Sequence, residues 1–415
     1  MHKKFPYLLL TGLLAAPAAQ AGEWSGRVAG EWLFFWNKPL DPDQHTSYLS
    51  VAAEPEYQHE WQDGKRQFNV TLFGRADQHD EERTHADVRE LEYLHIADWY
   101  EWRVGVRRVF WGVTESQHLV DIVNQTDLVE NPDGEDKLGQ PMINLALIGD
   151  LGTFDLFVLT GFRARTFPGE EGRPRFGAVV DDDLAVYESS REEERVDLAV
   201  RWSKSVSGAD MGLSYFYGTS RAPRLTAVRL NTALPPSPSN LVLAPSYDII
   251  EQAGLDVQFA TGSTLWKAEM ISRRELGERQ FLSTVGFEYT FTGAFNSPAD
   301  IGVLSEYLYD DRGEAASTLP AFGTSAKAPP TPFQNDLFIG GRFTFNDVQN
   351  SQILAGMIFD LDGRGRTYNV EFERRIGESF KIAIEWRGYA DIPPNDVLYT
   401  LRDDDSIRTE MGWYF

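Results

Sequence analysis

The stretch 366-RTYNVEFERRIGESFKIAIEWRGYAD-391 decides the fold. Read with a period of two, Tyr368, Val370, Phe372 and Ile376 share one face, and Asn369, Glu371, Glu373 and Arg375 share the other. After a tight break at Gly377 and Glu378 the alternation resumes. Phe380, Ile382, Ile384 and Trp386 are apolar, and Lys381, Glu385 and Arg387 oppose them. Two such strands joined by a short turn form an antiparallel hairpin between an apolar medium and water. A soluble sandwich shows the same alternation, so the rest of the chain must identify the apolar medium.

Both ends of the chain bear on that question. The last ten residues, 406-SIRTEMGWYF-415, place Ile407, Thr409, Met411, Trp413 and Phe415 on one face and Arg408 and Glu410 on the other. Soluble domains usually fray at a terminus and do not end on their most apolar residues. The first residues, MHKKFPYLLLTGLLAAPAAQA, set Lys3 and Lys4 before an apolar run and close on Ala19-Gln20-Ala21. That order predicts a secretory signal peptide over 1–21, cleaved after Ala21, with a core too short to span a bilayer. No other stretch offers the ~18 consecutive apolar residues of a transmembrane helix. The chain has no cysteine, which excludes a lipoprotein and a disulfide-stapled secreted fold.

The formal charge of −24 becomes −26 once Lys3 and Lys4 leave, so the chain repels nucleic acid. An aromatic content of 13% is too high for a disordered acidic chain. The hairpin pattern recurs along the chain. Residues 24–36 place Trp24, Val28, Trp32, Phe34 and Trp36 opposite Arg27 and Glu31. Strands are predicted over 24–36, 46–61, 66–78, 86–97, 99–111, 141–149, 152–163, 193–203 and 209–219. More follow over 247–260, 263–274, 280–292, 297–309, 334–345, 350–360, 365–376, 379–390 and 405–415. That makes about eighteen, with sixteen the alternative even count; the runs 141–163 and 350–360 are apolar on both faces. Tight turns alternate with long connections, of which 112–140, 164–192, 220–246 and 310–333 are the longest. The predicted fold is all-β: one transmembrane, antiparallel, up-and-down β-barrel over 22–415, with short periplasmic turns and long extracellular loops.

With its signal peptide, alternating strands and final aromatic, the sequence resembles the Gram-negative outer-membrane β-barrels of the porin-like superfamily; no subfamily stands out. The resemblance implies an outer-membrane location and contact with lipid and lipopolysaccharide. It makes Phe415 a recognition signal for the barrel assembly machinery, and it leaves monomer and homotrimer both open. It further implies that the loop after strand five folds inward and narrows the channel.

A barrel this wide leaves an aqueous lumen. The period of two aims Arg27, Glu31, Arg75, Glu101, Arg103, Arg107, Arg201 and Arg342 into it, together with Glu371, Glu373, Arg375, Lys381, Glu385, Arg387, Arg408 and Glu410. Within 112–140, Leu119, Val120, Ile122, Val123, Leu128 and Val129 recur at loosely helical spacing, which predicts a short helix against a wall. The other side offers Glu115, Asp121, Asp127, Glu130, Asp133, Glu135 and Asp136, an acidic constriction expected to face Arg103 and Arg107 and to favour cations. Residues 131–137, NPDGEDK, lack the twelve-residue calcium pattern, so no metal and no cofactor are expected. Arg163, Arg165, Arg173 and Arg175 suggest a phosphate clamp for lipopolysaccharide or an anionic solute. A rim cluster of His79, Asp80, Glu81 and His85 lacks a nucleophile motif, so an enzyme is not expected. The expected function is a passive channel for small polar or ionic solutes. An export or lipid conduit is the alternative, resting on the doubly apolar strands, and a barrel hydrolase comes third.

Overall fold

The computed structural model describes residues 22–175, 177–230, 241–313 and 332–415. In chain order the strands are β1 (Glu23–Phe35), β2 (Ser47–Trp61), β3 (Arg66–Asp77), β4 (His85–Ile96), β5 (Tyr100–Arg107), β6 (Gln140–Gly149) and β7 (Gly152–Thr160). They continue with β8 (Val186–Tyr187), β9 (Val196–Val206), β10 (Ala209–Thr219), β11 (Arg224–Arg229), β12 (Leu241–Tyr247), β13 (Ile249–Thr261) and β14 (Thr264–Glu275). The last are β15 (Glu278–Phe291), β16 (Asp300–Asp310), β17 (Asn335–Thr344), β18 (Gln352–Asp360), β19 (Arg366–Ile376), β20 (Phe380–Ala390) and β21 (Ser406–Tyr414).

Eighteen of these form one antiparallel sheet, each strand paired with its neighbours in the chain. The sheet closes where β1 pairs with β21, from Arg27 opposite Tyr414 to Phe35 opposite Ser406. Closure leaves no strand edge, which is what a sheet in hydrocarbon requires. The predicted hairpin is β19–β20, with Val370 opposite Trp386 and Glu371 opposite Glu385. The outward face is apolar, as Leu49, Val51, Leu91, Ile143, Leu198, Val285 and Ile339 show, all of them exposed. Trp24, Trp99 and Trp413 sit near the short-turn rim and Trp36 near the long-loop rim, where bilayer interfaces favour amphipathic rings.

The structure departs from the sequence reading at three places. First, β5 stops at Arg107 and not at 111, because Asn124 and Asp121 capture the N–H groups of Val109 and Trp111. Second, β8, β11 and β12 form a small separate sheet on the long-loop side, so the long connection 220–246 contains the strands β11 and β12. The preceding 234–240 and nearly all of 326–332 lie outside the described residues. Third, no helix forms in 112–140; the segment consists of turns and a bridge between Thr126 and Lys137.

Candidate functional site: the lumen and its inward loop

From Arg107 the chain turns off the wall, and side chains of the loop itself satisfy the freed backbone. Asn124 Nδ2 donates to the carbonyls of Arg107 and Leu138, both at 2.8 Å, while its Oδ1 accepts from Val109 N–H at 2.8 Å. The loop then crosses the lumen to two wall carboxylates. Glu269 on β14 accepts from Val113 N–H (2.7 Å), Thr114 N–H (3.0 Å), Thr114 Oγ1 (2.7 Å) and Val120 N–H (3.1 Å). Glu306 on β16 accepts from Glu115 N–H (2.8 Å), Ser116 N–H (2.8 Å) and Ser116 Oγ (2.6 Å). Leu119, Val120, Ile122 and Val123 pack on inward Met142, Phe157, Leu159, Phe216, Ile250 and Ile271.

That packing explains the doubly apolar run at 141–163. The inner faces of β6 and β7 meet a folded loop while their outer faces are exposed. The second such run, on β18, joins a smaller cluster in which Leu354 and Ile358 pack against Leu304, Leu308 and Phe338. Phe338 lies flat on Gly356, where a Cβ would come within 2.3 Å of its ring. The run at 141–163 therefore serves internal packing, whereas Leu354 and Ile358 of β18 are half-buried and also line a cavity in the lumen.

The acidic side of the loop is largely compensated. Glu115 meets Arg342 at 2.8 Å and Lys267 at 3.6 Å, Glu130 meets Arg75 at 2.8 Å, and Asp133 meets Arg387 at 2.8 Å. Asp121 accepts from Trp111 N–H at 2.6 Å and Gly112 N–H at 3.1 Å, and burial raises its pKa. Asp127 meets Arg89 at 2.6 Å and accepts from Thr166 Oγ1 at 2.6 Å. Burial alone would raise the pKa of Asp127, but His85, Arg89 and Thr166 pull it down to about 2. Glu135 meets His118 at 3.2 Å. Burial disfavours the His118 cation, yet Glu135 and Glu269 push its pKa up to about 10. Asp136 differs: burial, reinforced by Asp133, raises it to about 6. The expected opposition of these acids to Arg103 and Arg107 is not what forms. Arg103 pairs with Glu101 at 2.7 Å, and Arg107 with Glu92 at 3.0 Å.

The wall is asymmetric. Where the loop is docked, Asn144, Glu269 and Thr284 are 0% exposed, and Arg273 and Glu306 are 2% exposed. Across the lumen the side chains of Lys381 and Glu373 are both 35% exposed, Arg27 is 29% and Arg408 24% exposed. Their charges alternate in short ladders. Arg27 pairs with Glu410 at 2.9 Å, Arg408 with Glu31 at 2.8 Å, Lys381 with Glu373 at 2.8 Å, and Arg387 with Glu385. Glu371 accepts from Asn369 at 2.6 Å, Arg375 is exposed, and Arg201 on the docked side is paired with Asp256 at 2.6 Å. Glu31 also holds Arg75 at 3.3 Å and Arg83 at 2.7 Å, which ties the ladder to the loop.

Between loop and open wall lies a cavity of about 690 Å³, lined among others by Glu115, Asp133, Glu371, Arg387, Arg165 and Arg273 and by the apolar Phe338, Leu354 and Ile358. Arg165 donates to Gln125 Oε1 and to the Arg221 carbonyl, and burial lowers its pKa to about 10. Arg163, Arg173 and Arg175 do not form an outward clamp. They bind Asp87 at 2.7 Å, Asp404 at 2.7 Å and Asp41 at 2.6 Å, and so tie loops together. The rim cluster also separates: His85 turns inward to Asp127 at 3.7 Å, whereas His79 stacks on His45. The anchoring role of Glu306 was not read from the sequence. Its signal was a carboxylate on the inward face of β16, among aliphatic neighbours Leu304 and Leu308.

No protein-family model matches the chain, and no curated protein matches it by sequence. Solved structures do match in fold. One is Wzi of Escherichia coli, an outer-membrane protein involved in group 1 capsule assembly and described as a carbohydrate-binding β-barrel. It matches at a TM-score of 0.52 with 8% identity, over 93% of this chain and 83% of that one. Another is OccK5 (OpdH) of Pseudomonas aeruginosa, at a TM-score of 0.51 with 10% identity, over 95% and 98% of the two chains. A triple mutant of Rhodopseudomonas blastica porin matches at 0.43 with 10% identity, over 95% and 100%. The chain thus has the fold of the outer-membrane β-barrels, with structural similarity to Wzi and OccK5.

Proposed function

We propose that the protein is a narrow, porin-like channel of the outer membrane for passive diffusion of small polar or ionic solutes, with segment 112–140 as its constriction. The observation that carries this reading is the asymmetry of the lumen: one wall is sealed by the docked loop, and the opposite wall keeps half-exposed ladders of charge beside a cavity. Such opposed charges set a transverse field that orders water and sorts solutes by charge. Along the open wall Glu31, Glu371, Glu373, Glu385 and Glu410 are matched in number by Arg27, Arg375, Lys381, Arg387 and Arg408, so the lean toward cations comes from the loop acids Asp133 and Asp136. Asp121, Asp127 and Glu130 add nothing to it, being spent on internal partners. Planar-bilayer recordings of the purified barrel in a salt gradient test this. Small steps with a cation-side reversal potential are expected; a silent bilayer would remove the open pore, and an anion-side potential would remove the assigned selectivity.

A further inference from the structure

At the long-loop rim, three connections converge on a cluster that the channel reading does not use. We propose that His45, His79 and Glu171 form a binding site for a divalent transition-metal ion of the zinc class. His45 lies between β1 and β2, His79 between β3 and β4, and Glu171 between β7 and β8. Their ligand atoms all lie within 4.8 Å of one another. His45 Nε2 is 2.8 Å from Glu171 Oε2, and His79 Nδ1 is 3.9 Å from the same oxygen. Tetrahedral zinc with bonds of about 2.0–2.2 Å separates neighbouring ligand atoms by about 3.3–3.5 Å. The two observed distances straddle that value and the third pair lies within 4.8 Å, so the ion is admitted by a turn of one imidazole out of the present stack. The rings now stack with centroids 3.7 Å apart and planes at 17°.

A simple His–carboxylate hydrogen bond accounts for His45 but leaves His79 over. Among the described residues the His79 ring makes no hydrogen bond, and its Nδ1 faces the carboxylate that His45 already engages. The supports of the site are rigid. The Tyr48 hydroxyl, on a side chain 3% exposed, donates to the Glu171 carbonyl at 2.7 Å and accepts from His45 N–H at 2.9 Å. Arg173, bound to Asp404 at 2.7 Å, donates to the His45 carbonyl at 3.3 Å. Asp77 Oδ1 fixes His79 N–H at 3.0 Å. A preorganised shell of this kind lets ligands bind without ordering the loops first. Two imidazoles and one carboxylate suit zinc-class ions and not calcium, which takes oxygen ligands. The ligands are partly exposed, which leaves the ion a water-filled fourth position. Its mechanical effect is to staple three loops that lie over the barrel mouth.

Calorimetric titration of zinc into the metal-free, detergent-solubilised full chain tests the site. One equivalent should bind, His79→Asn should weaken binding at least ~10-fold, and the His45→Asn/His79→Asn pair should abolish it. The melting temperature of each variant without zinc confirms the fold; zinc should raise that of the parent protein alone. Failure of the parent protein to bind, or equal binding by the double variant, overturns the proposal, the latter placing zinc on other histidines such as His59 or His95.

Discussion

Glu269→Ala is the sharpest perturbation of the constriction. The carboxylate is fully buried and accepts the N–H groups of Val113, Thr114 and Val120 and the Thr114 hydroxyl. A hydrogen bond to a charged acceptor contributes about 1.5–3 kcal/mol, so the loss of these bonds removes on the order of 6–12 kcal/mol of docking. Water entering the vacated space recovers part of it. If about 5 kcal/mol remains, the docked loop loses three to four orders of magnitude in population relative to released states, at about 1.4 kcal/mol per decade. The apolar anchors Leu119, Val120, Ile122 and Val123 then have to hold the segment without the backbone contacts that aim it. Single-channel conductance should rise. Trypsin should also cut after Lys137, the one lysine or arginine of 112–140, whose ammonium is now held by the Gly134 carbonyl at 2.6 Å. Glu269→Gln retains an acceptor and should fall between the parent and the alanine variant. An alanine variant that inserts as a closed barrel but shows unchanged conductance and an intact Lys137–Leu138 bond would refute the claim that this carboxylate positions the constriction.

Three further outcomes follow from the same geometry. Asp127, with its pKa held near 2 against an ordinary carboxylate value of about 3.9, contributes stability that is present above pH ~4 and lost as the pH falls through about 2. Acid titration monitored by pepsin sensitivity should show loop release in that window, and Asp127→Asn should show it to trypsin at neutral pH, because Arg89 and His85 lose their partner. Asp136, with burial and Asp133 raising its pKa to about 6 despite Arg408 and Arg89, is mostly charged at pH 7 and mostly neutral at pH 5. Cation preference measured by reversal potential should therefore weaken between those values, and Asp136→Asn should flatten the profile. Phe415 is half-exposed on the outer face, and its N–H donates to the Gly26 carbonyl at 3.1 Å across the β1–β21 seam. Deleting it should lower the amount of folded barrel recovered from outer membranes several-fold, and full recovery would remove its role as an assembly signal.

The strands were legible because lipid on one side and water on the other impose a period of two on every segment, a local constraint that a sequence window captures. All eighteen predicted segments correspond to wall strands, and the misplaced end of β5 is instructive. Val109 and Trp111 continue the alternation, but Asn124 and Asp121 offer their N–H groups better partners than a neighbouring strand. The site was legible only in kind. The apolar residues Leu119, Val120, Ile122 and Val123 of 112–140 do pack together, whereas the wall and the anchors they meet were not legible. Contacts such as Val113 to Glu269 and Ser116 to Glu306 join residues 156 and 190 positions apart. No local pattern encodes such separations. The acidic tally misled for a related reason: a carboxylate counted as free charge in the sequence meets a guanidinium or a backbone N–H in the fold.

The doubly apolar strands did carry the missing information. In a water-filled barrel an inward aliphatic row is a cost of about 25 cal/mol for each Å² left wet. A wall with Met142, Phe157, Leu159, Ile250 and Ile271 turned inward therefore requires a protein partner inside the lumen. Of the long connections beside it in the chain, 112–140 carries the row Leu119, Val120, Ile122 and Val123 that packs there. The wall with alternating charge, β19 to β21 and β1, requires no partner, since its ladders are solvated and paired. Segment 112–140 accordingly lies against β6–β16 and leaves the face of β19–β1 largely uncovered. Under the proposed channel function, the hairpin that reveals the fold is also the surface past which solutes move.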